Sequence, residues 1–328
     1  APGTRGRWLS RLLVALLAIS GLLSLSYAGI STYIATKLVY RAQTPVTGTP
    51  ARYGLNYAYV TFPARDDGLQ IKGWFIPGVL RDGRLTADRT LLVVHGTWKN
   101  RADPDAGVLE LSAALAHRGY AVLAFDLRGH GESAPAPLSM GMLEQRDILG
   151  AVDYLQRGRL PYPELRRPRV IAGWGVSLGG ASLLFAAARE PAIRAVVSDC
   201  AYADVTPIFE REIPMRGGLP PLFTPGAFVM GRVLYDVDYY AARPVDVIAR
   251  IAPRPILLIH GSADDYIPPS NMDQLYAAAS AAPGAHAQQW LVPGAKHAQS
   301  FHTVGAQYVD RIAAFYTAAL GSDQNAQR

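Results

Sequence analysis

One cysteine in 328 residues, Cys200, excludes an internal disulfide framework and a zinc site built on cysteines. Charge is also scarce: Asp, Glu, Lys and Arg make up 18% of the chain, below the usual quarter or so, while half of it is hydrophobic. Disorder throughout is excluded, and a sizeable buried core is expected. The net charge of +6 comes from scattered arginines. No basic run with interleaved aromatics appears, so nucleic acid is not an expected partner. There is no HExxH, no clustered Asp/His set, and no GxGxxG after the first strand-like run. Neither a metal nor a nucleotide cofactor is expected.

What the N-terminus has is a run without charge. From Leu12 to Thr36, twenty-five residues carry none, bounded by Arg5, Arg7 and Arg11 before and Lys37 after. That exceeds the roughly 20 residues needed to cross a bilayer. The pattern predicts a membrane anchor over residues 1–40, with the basic end in the cytoplasm and the rest of the chain outside it. A secretory signal, cleaved near Ser26-Tyr27-Ala28 to release a secreted protein, is the alternative. Residues 41–56, rich in Pro, Gly and Thr, read as a linker, and 321–328 as a flexible tail.

Between them lies the expected catalytic domain, 57–320. It opens with a hairpin pattern turning at Asp66-Asp67-Gly68. Short apolar runs then alternate with helix-periodic segments: "TLLVVHG", "YAVLAFDLRG", "PRVIAGWG", "AIRAVVSDC", "RPILLIHG" and "HAQQWLVPG" are the strand-like runs. This alternation predicts an α/β protein with a parallel sheet covered on both faces. Residues 203–250 break the rhythm and read as a lid insertion.

Chemistry is suggested by "GWGVSLGG", where Ser177 stands between Gly175 and Gly179 after a strand and before a helix. A hydroxyl needs a base to take its proton and donors to receive an oxyanion. The sharp turn exposes the hydroxyl, and the N–H of Leu178 sits at a helix N-terminus. The base should follow the last strand, which selects His297 in "VPGAKHAQSF", with His302 as the fallback. The acid should follow the penultimate strand: Asp264 is favoured over its neighbour Asp265 and over Asp199 at the end of the preceding strand. The order Ser177, Asp264, His297 suits three loops on one sheet edge. "VVHGTWKN" offers the second oxyanion donor, the N–H of Thr97, with Trp98 as a wall of the substrate pocket. Phe209, Leu219, Leu222, Phe223 and Phe228 of the lid are the expected apolar lining.

Together "HGTW", "FDLRGHGES", "GVSLGG", "HGSADDYIP" and "GAKH" resemble the α/β-hydrolase superfamily over about residues 55–320. The segment around "FDLRGHGES" resembles esterases, lysophospholipase-like enzymes with an N-terminal membrane segment, and catalytic domains of prolyl oligopeptidases. The resemblance implies an α/β-hydrolase fold: a mostly parallel sheet of about eight strands, helices on both faces and a small lid. It implies that Asp264 is the acid and that Asp126, Arg128 and His130 are structural. The activity expected is serine-based cleavage of small-molecule or lipid esters, hydrophobic ones first. A peptidase or amidase using the same residues, and a non-catalytic binding protein, are the other readings. Nothing in the sequence fixes an oligomeric state.

Overall fold

The computed structural model describes residues 4–321, with side chains from Arg7 onward; residues 322–328 of the expected tail lie outside the described residues. Ten strands follow one another as β1 (Ala58–Pro63), β2 (Gln70–Ile76), β3 (Gly78–Val79), β4 (Leu85–Thr86), β5 (Arg89–Val94), β6 (Ala121–Phe125), β7 (Val170–Val176), β8 (Ile193–Asp199), β9 (Ile256–Gly261) and β10 (Ala287–Val292). Eight of them form one sheet in the order β1-β2-β6-β5-β7-β8-β9-β10. β1 and β2 are antiparallel, joined through the Asp66-Asp67-Gly68 turn, and β2 meets β6 antiparallel; from β6 to β10 every pairing is parallel. β3 and β4 make a separate ribbon.

The strands of the parallel part are apolar on both faces because both faces are covered. In β5, Leu91 and Val93 join one core with Leu111 and Leu115 of α2 (Val108–Ala116) and Ile312 and Tyr316 of α9 (Ala306–Leu320). Leu92 and Val94 point the other way, into a second core with Ile148 of α3 (Glu144–Arg157) and Leu183 and Leu184 of α4 (Leu178–Arg189). A run such as "TLLVV" has no polar side to expose, so it fits only a central strand. The remaining helices are α5 (Thr206–Gly217), α6 (Phe223–Tyr235), α7 (Ser270–Ser280) and α8 (Ser300–Val304). Residues 203–250, between β8 and β9, hold α5, α6 and three short 3₁₀ turns.

The uncharged N-terminal run lies within a single helix, α1 (Thr4–Val39), long and apolar enough to cross a membrane. Its two ends differ. Residues 7–26 are exposed throughout, about 30 Å at 1.5 Å per residue, which is the thickness of a hydrocarbon core. From Tyr27 the helix packs on α6. Tyr27 stacks on Phe223, its hydroxyl donates to the Leu222 carbonyl at 3.0 Å, and the Thr36 and Tyr235 hydroxyls bond at 2.6 Å. At Gly226 a Cβ would lie 2.3 Å from the Ser31 Oγ, so the close helix contact depends on that glycine. The following stretch is pinned too: Gln43 Nε2 donates to the His130 and Ser133 carbonyls, and Asn100 Nδ2 donates to those of Thr44 and Pro45.

Candidate active site

The turn from β7 into α4 places Ser177 at φ 55°, ψ −120°, a left-handed backbone that costs a non-glycine residue about 1–3 kcal/mol. The surroundings enforce it. A Cβ at Gly179 would meet the Val94 and His95 carbonyl oxygens at 2.3 and 2.4 Å, and one at Gly175 would meet the Gly179 carbonyl at 2.5 Å. The Ser177 N–H donates to the Asp199 carbonyl at 2.8 Å, fixing the turn to the end of β8. The outcome is a hydroxyl lifted off the sheet edge, with the first N–H groups of α4 behind it.

His297, in the loop after β10, brings Nε2 to 3.0 Å from the Ser177 Oγ and Nδ1 to 2.7 Å from the Asp264 Oδ2. With the Nδ1 proton donated to the carboxylate, Nε2 is left as the acceptor for the serine hydroxyl. Asp264 follows β9 and its side chain turns inward because Oδ1 accepts the backbone N–H groups of Tyr266 and Ile267 at 3.0 and 2.8 Å. Its other oxygen is also 3.2 Å from the His260 Nε2. Burial alone would raise this carboxyl; the bonds from His260, His297 and Ile267 outweigh it and hold the group down to about 2, so it is a carboxylate at any working pH.

The two alternative acids stand elsewhere. Asp265 lies on the wall of the neighbouring cavity, and its carbonyl accepts from Arg211. Asp199 is buried, its oxygens accepting from the Ser300 and Tyr308 hydroxyls at 3.0 and 2.7 Å; burial raises its pKa. His302 Nε2 donates to the Pro104 carbonyl at 2.8 Å, away from the serine. Among the described residues, the cluster of metal-ligating types is Cys200, Asp264 and His297, the last two being the residues already bonded to one another. Burial pushes the Cys200 thiol well up, so it stays protonated.

The "HGTW" loop after β5 passes beside the serine: a Cβ at Gly96 would lie 3.5 Å from that of Ser177. His95 locks it, donating from Nδ1 to the Gly96 carbonyl at 2.8 Å and accepting the Leu127 N–H on Nε2 at 3.0 Å. That pattern needs a neutral ring. Burial, with His130 and Arg101 nearby, drives the His95 pKa well down. Underneath, the wholly buried Arg101 pairs with Asp126 and lies 4.4 Å over the Trp74 ring. Arg128 binds Asp147 at 2.7 Å and Asp67 at 2.8 Å. These pairs carry "FDLRGHGES" as a brace for the loops.

Two adjoining cavities serve the hydroxyl. One of about 510 Å³ is lined by Ser177, His297, Thr97, Trp98 and Lys99, among others. The second, about 360 Å³ and more apolar, is lined by Leu38, Leu138, Met140, Phe209, Ile213 and Leu219. Arg41, Thr97, Trp98, Arg216 and Tyr266 border both. Of the expected pocket residues, Trp98 and Phe209 therefore line the site. Phe223 and Phe228 do not line these cavities. Phe223 is taken up by Tyr27 of α1, and Phe228 is buried against Phe209, Tyr239 and Tyr240, because the apolar faces of α6 are turned to α1 and to the core.

Sequence reading passed over four residues at the site. Tyr266 sets its ring edge-on to His297 at 5.0 Å. His260 reaches Asp264 from one turn of sequence earlier, a spacing visible in "HGSAD". Lys37, read only as a helix flank, and Arg41, read only as the start of the linker, border the apolar cavity.

Comparison with known proteins agrees with this architecture. Residues 109–323 match the prolyl oligopeptidase family. The uncharacterized protein YfhR of Salmonella typhi is 30% identical over 273 residues, 80% of this chain and 82% of the relative. Among solved structures, an esterase of Pyrococcus furiosus superposes with a TM-score of 0.69 at 20% identity, covering 87% of this chain and 99% of its own. An acylaminoacyl peptidase of Pyrococcus horikoshii gives 0.58 at 17% identity, covering 80% of this chain and 42% of its own. The fold, the order of the loops and the family match agree: this chain is an α/β-hydrolase and belongs to the prolyl oligopeptidase family.

Proposed function

We propose that the protein is a membrane-anchored serine hydrolase that cleaves carboxylic esters with hydrophobic acyl groups. The observation that carries this reading is the unbroken relay from Ser177 Oγ through His297 to Asp264, at 3.0 and 2.7 Å, opening onto a cavity that shares a border with an apolar one. Ser177 attacks the ester carbonyl as His297 takes its proton, while Asp264 holds the imidazole and stabilises its cation. The backbone N–H groups of Thr97 and Leu178 receive the oxyanion. His297 then gives the proton to the departing alcohol, and water, activated by the same ring, releases the acid and restores Ser177. Residues 203–250 act as the lid over this site. The exposed part of α1 is the anchor, with the catalytic domain outside the cytoplasm, and the docking of residues 27–39 favours retention of the helix over cleavage at Ala28.

Peptide or other amide cleavage by the same three residues is the second reading, favoured by the family match. Fluorophosphonate labelling tests the nucleophile: the wild type should label and Ser177→Ala should not. Equal labelling of both would remove Ser177 from the mechanism. Side-by-side turnover of p-nitrophenyl esters and matching anilides separates ester from amide preference.

A further inference from the structure

The apolar cavity beside Ser177 is not closed by the lid residues alone. One of its walls is the docked end of α1: Tyr33, Ile34, Lys37 and Leu38 line it, facing Phe209 and Ile213 of α5 across the space. The cavity is lined by Thr97 and Trp98, which also border the cavity of the nucleophile, and by Gly217, the last residue of α5, and Leu219, in the turn to α6. That same turn is tied to α1 at Tyr27, where the exposed stretch of the helix ends, through the Leu222 carbonyl. Met215 in the last turn of α5 and Leu222 in the turn that follows are exposed and apolar, 73% and 57% accessible. The outer end of the cavity thus sits where the helix leaves its roughly 30 Å apolar stretch, the level of a bilayer surface.

Charge adds a second constraint. Lys37 and Arg41, one turn apart at the end of α1, border the cavity, and neither meets a carboxylate within ion-pair distance among the described residues. Lys37 lies over the Tyr33 ring and Arg41 over Trp98, 5.0 Å from its centroid, so the guanidinium stands on the border shared with the cavity of Ser177. Arg216, on the same border, is already paired with Glu212.

Resting on the esterase reading above, we propose that α1 is part of the substrate site as well as the anchor. Its docked end walls the acyl channel, and Arg41 with Lys37 receives the acidic head of a single-chain lipid ester drawn from the membrane in which the same helix sits. The acyl chain lies between α1 and α5, and the ester carbonyl reaches Ser177 past Trp98. The head group, a phosphate monoester or carboxylate, pairs with Arg41.

The test uses the full chain in detergent micelles. Leu38→Trp narrows the channel and should lower the ratio of p-nitrophenyl decanoate to acetate turnover by at least about tenfold. Leu38→Ala, which only removes bulk, should move the preference toward longer chains. Arg41→Gln should reduce turnover of a lysophosphatidate relative to the monoacylglycerol of the same chain by about tenfold or more. A decanoate-to-acetate ratio unchanged in both Leu38 variants overturns the channel, and equal losses on the two lipids in Arg41→Gln overturn the head-group site. Failure of the esterase reading looks different: the wild type would then hydrolyse none of these esters and would not react with fluorophosphonate.

Discussion

Replacing Asp264 by Asn keeps the side chain's shape and reverses what one of its atoms can do. Oδ1 can go on accepting the N–H groups of Tyr266 and Ile267, bonds that fix which way the group faces. The new Nδ2 then points at His297 Nδ1, which donates to the carboxylate in the native protein, and at His260 Nε2, 3.2 Å away and donating to the Ile267 carbonyl. Donor against donor is resolved if His297 moves its proton to Nε2, and a ring protonated there no longer accepts the hydroxyl proton of Ser177. In serine–histidine–aspartate enzymes this tautomer error lowers kcat by about 10⁴, or about 5.5 kcal/mol of transition-state stabilisation. The same loss is expected here for p-nitrophenyl butyrate, with the fluorophosphonate labelling rate falling in parallel and the circular dichroism spectrum unchanged. Asp265→Asn is the paired control, since Asp265 lines the cavity while the ring nitrogens of His297 bond Asp264 and Ser177. An Asp264→Asn enzyme within tenfold of wild type, or an equal loss in Asp265→Asn, would refute the assignment.

Two further outcomes concern stability. Because Asp264 is held at about 2 when folded against an ordinary 3.8, the folded state prefers its charged form, which is worth roughly 2 kcal/mol near neutrality. That stabilisation is fully present above pH 3.8 and is lost as the pH falls toward 2, so the stability gap between wild type and Asp264→Asn in urea titrations should shrink over that window; a gap independent of pH would contradict it. Arg101→Met should destabilise by about 3–5 kcal/mol, because Asp126 would remain buried without its charge partner. An unfolding free energy within about 1 kcal/mol of wild type would show that Asp126 had found another way to be neutralised.

The sheet was readable because strands covered on both faces have no polar positions to blur the pattern, as "TLLVV" and "YAVLAF" show. Ser177 and His297 were readable as candidates from where they stand relative to strands, since the loops at one sheet edge converge whatever their sequence. Choosing among Asp264, Asp265 and Asp199 needed side-chain direction, and direction depends on which backbone N–H groups a carboxylate captures once the loop closes. The aromatics of residues 203–250 were hidden in the same way: composition says that Phe223 and Phe228 are apolar, not that α1 and the core would claim them. The inner boundary of the exposed helix was equally hidden. Leu12 to Thr36 has no polar face, so nothing in its periodicity marks Tyr27 as the point where solvent exposure gives way to packing on α6.

The bonds from Gln43 and Asn100 and the docking of residues 27–39 have a mechanical meaning. A catalytic domain on a flexible tether can swing through a volume set by tether length and meet substrate at any angle. Here helix and domain are clamped at several points along more than two turns, so they tilt together. The height and attitude of Ser177 relative to residues 7–26 are set by packing, and inserting four residues into the helix above Tyr27 would lift the serine by about 6 Å and rotate it by about 40° around the helix axis.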